Sequence, residues 1–444
     1  MTLEQGRALL PANGAFVSWL FDEQITGVAL ALPKSGDLQV LKSTPGIQMI
    51  RHAEAFRWLN ALPDADSFAR AVQAIPLAAW QQDGILYLGA SGNAPADGKA
   101  VSASQYMDLR QQAIASHGQW LSDALLKPLA AQIDSASQWI ISPDGVLATI
   151  PWDTIPWNGK PLGQQKQLTV IQSLSVYKLL KDREAEYVRE RARAPGATQP
   201  LLVMGGAVYG TGPSEQRSFQ RAPQVVVNGT STAASEYQHQ SAYDYMVSRR
   251  WPNLAGSLSE AEALHSLMGG RKFTGRDASE TMLREVSQSG ELARYRNLHF
   301  AAHGYLDTTV PSLSALVLAA TGKDENNDGY ITAGEWPAFN LKSDLLVMSA
   351  CETGLGKVVS GEGIQGLPYA LYVAGNRDTL LTLWQVSDNG TAVFMKRFWE
   401  KVKAGQNHAQ ALTQTKREFQ RGEAGKAYAE PYYWAAFVLY GVQE

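Results

Sequence analysis

Apolar and polar positions follow two rhythms along this chain. Residues 14–21 (GAFVSWLF) and 25–33 (ITGVALALP) are apolar runs rich in β-branched and aromatic side chains, parted by a polar triplet, and predict strands. Residues 49–62 carry apolar side chains at helical spacing, and 106–133 extends that pattern over a long stretch. Between them, 92–104 is rich in Gly, Pro, Asp and Ser and predicts a loop. Residues 138–155 (QWIISPDGVLATIPWDTI) predict two strands around an Asp144-Gly145 turn. Residues 175–194 predict a helix that becomes wholly charged. The Pro- and Gly-bearing stretch 195–200 then reads as a linker, dividing the chain into 1–194 and 195–444.

A second series starts at 201–210 (LLVMGGAVYG). Residues 257–270 predict a helix capped by Ser259 with Glu262 three residues on, and 278–288 predicts another amphipathic helix. Residues 297–304, 314–320, 344–351 and 378–386 are short apolar runs, each followed by a loop or helix. Such alternation predicts a mostly parallel sheet covered by helices on both faces. Residues 210 to about 250 are polar and turn-rich and read as a mobile insertion. No repeat of solenoid length is visible.

Composition narrows the classes. With 45% hydrophobic and 18% charged residues in 444, the chain has material for two or three cores. A net charge of −3 argues against bulk attraction to nucleic acid or anionic lipid. No stretch has the length and apolarity of a membrane span. The first residues lack the basic start and apolar centre of a secretory leader, and one cysteine cannot form an internal disulfide, so a reducing cytoplasm is expected.

That one thiol is the informative residue. His303 closes one predicted strand and Cys351 another, and each is followed by Gly or a loop-like stretch. In an open parallel sheet, ligands sit beyond the carboxyl ends of the strands. An imidazole there can take the proton of a thiol, and the thiolate is the nucleophile. Backbone N–H groups of Gly304 and Cys351 would receive the oxyanion of an acyl-transfer intermediate, where a side chain in place of Gly304 would crowd the carbonyl. A buried thiol serving as a small hydrophobe, beside a merely hydrogen-bonded histidine, accounts for the same residues.

Residues 299–304 (HFAAHG) and 344–399, beginning DLLVMSACETGLG, resemble the CHAT domain, a cysteine peptidase domain related to caspases, separase and gingipains. Residues 138–155, 253–264 and 431–441 look like further characteristic segments of it, so the likeness covers most of 115–444. The resemblance implies an α/β, caspase-like fold with a mostly parallel sheet flanked by helices. It implies Cys351 as nucleophile and His303 as general base. Similar proteins place an inactive caspase-like half before the active one. That fits a cysteine-free, strand-rich pseudo-peptidase half over 1–194 and a catalytic half over 195–444 with its insertion at about 210–250. By the same resemblance, Trp384, Gln385 and Asp388 line the pocket for the substrate side chain ahead of the cleaved bond, where Asp388 would favour Arg or Lys. The rival role for Asp388 is that of a helix cap. Helical repeats that often precede this domain are not visible, so the chain reads as a stand-alone version or a piece of a longer protein.

Three further patterns stand in the sequence. Residues 361–366 (GEGIQG) fit a dinucleotide fingerprint but neither follow a strand directly nor open a helix. His299 and His303 lie four apart on one predicted strand without a third zinc ligand. Residues 324–335 fit a calcium loop, with Asp324, Asn326, Asp328, the Tyr330 carbonyl and Glu335 as ligands and Gly329 at the turn. The entering helix of such a site is missing, and a turn at Asp328-Gly329 followed by a short helix capped by Thr332 explains the same residues.

The sequence thus points to a cytoplasmic cysteine endopeptidase of bacterial-type signalling or defence, cleaving a specific protein partner through a thioester. It needs no cofactor, calcium being the one ion on offer, and no nucleic acid or membrane. A regulatory partner or a preceding repeat region fits the picture, and Arg217, Arg221, Arg249 and Arg250 are plausible cleavage points in the insertion. The rival is a silent caspase-like scaffold that only binds partners.

Overall fold

The computed structural model describes residues 2–22, 26–63, 68, 76–194, 196–209, 232–307, 310–322, 327–349, 357–359, 363–365 and 367–442, with the backbone path alone for 232–238, 357–359 and 363–365.

The strands that matter here are, in chain order, β1 (Gly14–Phe21), β2 (Gly27–Pro33), β3 (Gln39–Ser43), β4 (Gln138–Ser142), β5 (Gln167–Val170), β6 (Gln199–Ala207) and β7 (Arg271–Gly275). They continue with β8 (Tyr295–Ala301), β9 (His303–Tyr305), β10 (Ala315–Val317), β11 (Tyr330–Thr332), β12 (Leu345–Met348), β13 (Asp378–Thr382) and β14 (Phe437–Tyr440). Eleven of them form one sheet in the order β7-β6-β8-β12-β13-β14-β5-β4-β1-β2-β3. Pairing is parallel from β7 to β13 and from β14 to β1, and antiparallel at β13/β14, β1/β2 and β2/β3. The last strand is therefore the seam: β14 pairs with β13 on one side and with β5 on the other, joining the two parts of the chain. The remaining three, β9, β10 and β11, make a small antiparallel sheet just beyond the end of β8.

Helices cover both faces. On one side α1 (Leu3–Leu9), α4 (Leu174–Arg193), α5 (Thr232–Ser248), α7 (Glu280–Gln288) and α8 (Leu367–Val373) close over Leu202, Met204, Phe300 and Met348. On the other, α2 (Gly46–Asn60) and α3 (Ala103–Leu121) cover β1 and β4. There α6 (Ala255–Met268), α9 (Asp388–Lys403) and α10 (His408–Gln420) cover Leu201, Val203 and Val347. Because neighbouring residues of a strand face opposite ways, strands covered twice must be apolar throughout. That is why β12 reads as an unbroken apolar run with every residue buried, while β8 carries Arg296 exposed at its start and buries Asn297 and His299 among its apolar residues.

Three local expectations are corrected. Residues 138–155 give one strand, β4, and then two short 3-10 turns at Gly145–Thr149 and Trp152–Thr154. The Asp144 carboxylate accepts the N–H of Phe21 at 2.8 Å and of Gly145 at 2.9 Å, so it ties this turn to β1 instead of closing a hairpin. Helix α6 starts at Ala255, and Ser259 donates back to the Gly256 carbonyl within it instead of capping it. Of the stretch 210–250, residues 210–231 lie outside the described residues. Residues 232–248 form α5, which sends Met246 fully into the core.

Side chains reinforce the seam. Lys416 of α10 and Asp153 form a buried ion pair across it, and Arg417 donates to the Gly163 carbonyl at 2.9 Å. The hairpin of 357–359 and 363–365 packs on the Gly145–Thr149 turn, so the first part of the chain braces the segment that follows position 351.

Candidate active site

Strands β8 and β12 lie side by side in parallel, with His299 opposite Val347 and Phe300 opposite Met348. Beyond the paired residues, the Ser349 N–H still donates to the Phe300 carbonyl at 3.1 Å. The chain bends at Ala302 and His303 opens β9, where it pairs with Val317 of β10, with Gly304 next along the strand. The run carrying His303 and the run leading to Cys351 thus end on the same sheet edge, as expected. Cys351 itself lies outside the described residues. One residue separates it from Ser349, a reach of at most about 7 Å.

His303 is buried, and its Nε2 lies 2.7 Å from the Pro252 carbonyl oxygen. A carbonyl can only accept, so the proton resides on Nε2, and Nδ1 carries the lone pair of the neutral ring. The ring is flanked by Tyr209 at 4.9 Å and Trp251 at 4.8 Å between centroids. Burial holds the imidazole below its ordinary pKa. The hydrogen bond to Pro252 and the charge of Asp388 oppose that shift, and Arg249 adds to it. Pro252, Tyr209 and Trp251 escape a sequence reading because they reach the base from another segment and carry no spacing signal.

Beneath this edge lies a buried polar cluster. Glu260 of α6 accepts from His299 Nε2 at 2.6 Å and from Ser349 Oγ at 2.8 Å. His299 Nδ1 in turn accepts from the Trp399 indole at 3.2 Å. An imidazole that accepts at Nδ1 and donates at Nε2 is neutral, so among the described residues the donors that meet Glu260 here are neutral. His299 thus serves this cluster, and among the described residues no group of three or more His, Cys, Asp or Glu could hold a metal. A small pocket opens beside it, lined by Ser257, Glu260, Ala302, Ser349, Val386 and Asp388 among others.

The three residues expected to line the substrate pocket go separate ways. Trp384 is buried and its indole donates to the Tyr432 carbonyl at 3.0 Å. Gln385 is exposed. Asp388 is half-buried, lines the pocket and is the first residue of α9. The cap is the preceding Ser387, which accepts from Gly390 N–H at 3.3 Å. A Cβ on Gly256 would come within 2.5 Å of the Asp388 Cβ, so only glycine lets α6 and α9 approach this closely.

In the acidic loop, Asp324 and Asn326 lie outside the described residues. Asp328 accepts from Tyr330 N–H at 2.8 Å and from the Tyr243 hydroxyl at 2.6 Å, and Gly329 takes the turn with φ of +91°. Glu335 accepts from Thr332 N–H at 2.8 Å and from Arg284 at 2.5 Å, and Arg284 also binds Glu280 at 2.8 Å. A guanidinium thus stands between Glu280 and Glu335. The short helix that follows, Trp336–Ala338, has no side-chain cap, so Thr332 does not cap it. Burial pushes the Glu280 carboxyl up to about 7.

In the *Saccharomyces cerevisiae* separase–securin complex at 2.6 Å resolution, one chain matches at 10% identity and a TM-score of 0.45, covering 99% of this chain and 30% of that one. The same complex at 3.0 Å matches at 11% identity and a TM-score of 0.47, covering 98% and 30%. This chain therefore spans less than a third of the length of those it matches. No curated protein matches it. The CHAT domain matches residues 116–442, most of the chain and both strands that lead to the site. The chain belongs to the CHAT domain family.

Proposed function

We propose that the chain is a cysteine endopeptidase in which Cys351 and His303 form the catalytic dyad. The observation that carries this reading is the bond from His303 Nε2–H to the Pro252 carbonyl, because it leaves Nδ1 to take a proton. The Cys351 thiol gives its proton to Nδ1, and the thiolate attacks the scissile carbonyl carbon. The resulting oxyanion takes hydrogen bonds from the backbone N–H groups of Gly304 and Cys351. Collapse to the thioester breaks the C–N bond, and the departing amine leaves with the proton held by the imidazolium. Water then attacks the thioester, giving a proton to Nδ1, which returns it to the sulfur as the new carboxylate departs.

Asp388, which lines the small pocket beside Glu260 and whose charge reaches the His303 ring, favours a basic side chain ahead of the cleaved bond. Two carboxylates, Glu260 and Asp388, line the pocket together with the hydroxyls of Ser257 and Ser349, among apolar neighbours such as Leu254, Ala301 and Val386. The Arg fork suits such a site better than a neutral side chain would. The substrate is a specific protein partner, and the setting is cytoplasmic. Among the described residues no helix is long and apolar enough to cross a membrane.

A peptide-library cleavage assay on the parent chain beside Cys351→Ala tests the reading. Cleavage after Arg or Lys that vanishes in the variant supports it. Equal cleavage by both, or none by either, favours a scaffold that only binds partners.

A further inference from the structure

The ring of His303 is held at its edge and on its faces, and the edge and one face belong to a single short segment. Pro252 takes the Nε2 proton at the edge, and the Trp251 indole covers one face at 4.8 Å with an angle of 37° between planes. Arg249 lies over the indole at 4.8 Å from its centroid and over the Tyr305 ring at 5.8 Å. The indole is pinned in turn: its Nε1 donates to the Tyr330 hydroxyl at 2.7 Å, and that hydroxyl donates to the Met246 carbonyl at the end of α5 at 2.8 Å.

One hydrogen bond cannot fix a ring, because the imidazole can still pivot about the N–H···O axis. A flat surface against its face removes that freedom. Trp251 supplies the surface, and Arg249 braces the surface from the side by a cation–π contact. We propose that Trp251 and Arg249 are positioning residues for the base, a column running Arg249–Trp251–His303 that fixes the plane of the ring and keeps Nδ1 free to take a proton. This rests on the reading of His303 as the general base.

Arg249 is the cation on this side of the ring. Facing it, the first turn of α9 brings Asp388, of opposite sign, and the segment just after β6 brings Tyr209, whose hydroxyl donates to the Val317 carbonyl at 3.1 Å. Among the described residues the charges acting on the ring are Arg249 and Asp388, and the lowered imidazole pKa agrees with the sense of Arg249. The column also gives the segment after α5 a task. The end of α5 reaches the base through Met246, Tyr330 and Trp251.

The test uses the full chain with Arg249→Gln, Arg249→Lys, Trp251→Leu and Trp251→Phe. Two quantities are read: the pH dependence of Cys351 alkylation by iodoacetamide, and the NMR titration of the His303 ring in a Cys351→Ser background. Arg249→Gln moves the ring titration and the acid limb of alkylation to higher pH, and Arg249→Lys restores both most of the way. Trp251→Leu lowers kcat about ten-fold with KM unchanged, and Trp251→Phe, which keeps a ring face, recovers most of it. Titrations and alkylation profiles that superimpose on the parent's in both Arg249→Gln and Trp251→Leu overturn the proposal. The NMR titration needs neither thiol chemistry nor a substrate. An Arg249-dependent titration in a chain that cleaves no peptide therefore upholds the column and overturns only the peptidase reading.

Discussion

Nε2 of His303 lies 2.7 Å from the carbonyl oxygen of Pro252, an atom that can only accept. This one relationship sets the tautomer and decides which nitrogen is left to act as a base.

The first prediction follows from that nitrogen. His303→Ala and Cys351→Ala each lower peptidase activity by roughly a thousandfold or more, with unfolding temperatures close to the parent's. Because Cys351 is the only thiol, iodoacetamide modifies a single site and removes the activity with it. Mass spectrometry of the alkylated chain, read beside residual activity, checks both halves.

Asp388 gives the second. Asp388→Asn should lower kcat/KM for substrates with Arg or Lys before the cut by about a hundredfold, and hardly alter any cleavage after neutral residues. A matched pair of peptides differing only at that residue, Arg against citrulline, reads the ratio directly. An unchanged ratio removes Asp388 from specificity.

Arg284 carries the third. It stands between Glu280, fully buried, and Glu335, with Nε and Nη2 at 2.8 and 2.5 Å. Arg284→Met leaves carboxyl groups facing one another without a cation, which costs about 3 kcal/mol in denaturant unfolding. Arg284→Met with Glu280→Gln should recover part of the loss, since a neutral amide replaces the most deeply buried carboxyl.

The fourth concerns acid. His52 and His117 are buried against each other, Nδ1 to Nδ1 at 2.9 Å, and burial lowers each to about 4. In the unfolded chain both titrate near 6.5, so between that value and 4 the unfolded state binds more protons. Stability contributed by the neutral pair is complete above 6.5 and is lost as pH falls toward 4. Melting scans over that range should show a steeper fall for the parent than for His52→Leu, and equal slopes would remove the pair as the cause.

How much of this was legible beforehand differs from element to element. β12 and the apolar centres of β8 and β13 announced themselves because a strand covered on both faces is largely apolar, and that is a local signal. That the run leading to His303 lies beside the run leading toward Cys351 was legible for the same reason, since both read as buried strands. Other features depend on contacts between distant segments. Asp144 and Gly145 look like a hairpin turn until the N–H of Phe21 claims the carboxylate. Ser259 looks like a cap, but α6, packed on β6 and α9, starts five residues before the helix that such a cap would open. Trp384 looked like a pocket residue, yet a partner at Tyr432 draws it into the core. The C-terminal strand β14 could not be assigned between β13 and β5 from its own residues, because an apolar run states that it is buried and not beside what. The sequence by itself determined which residues could do chemistry and which strand ends would present them. Only the tertiary structure decided the tautomer of His303, the neutral setting of Glu260 and the seam between the two parts, because each depends on a hydrogen bond or backbone pairing made across the fold.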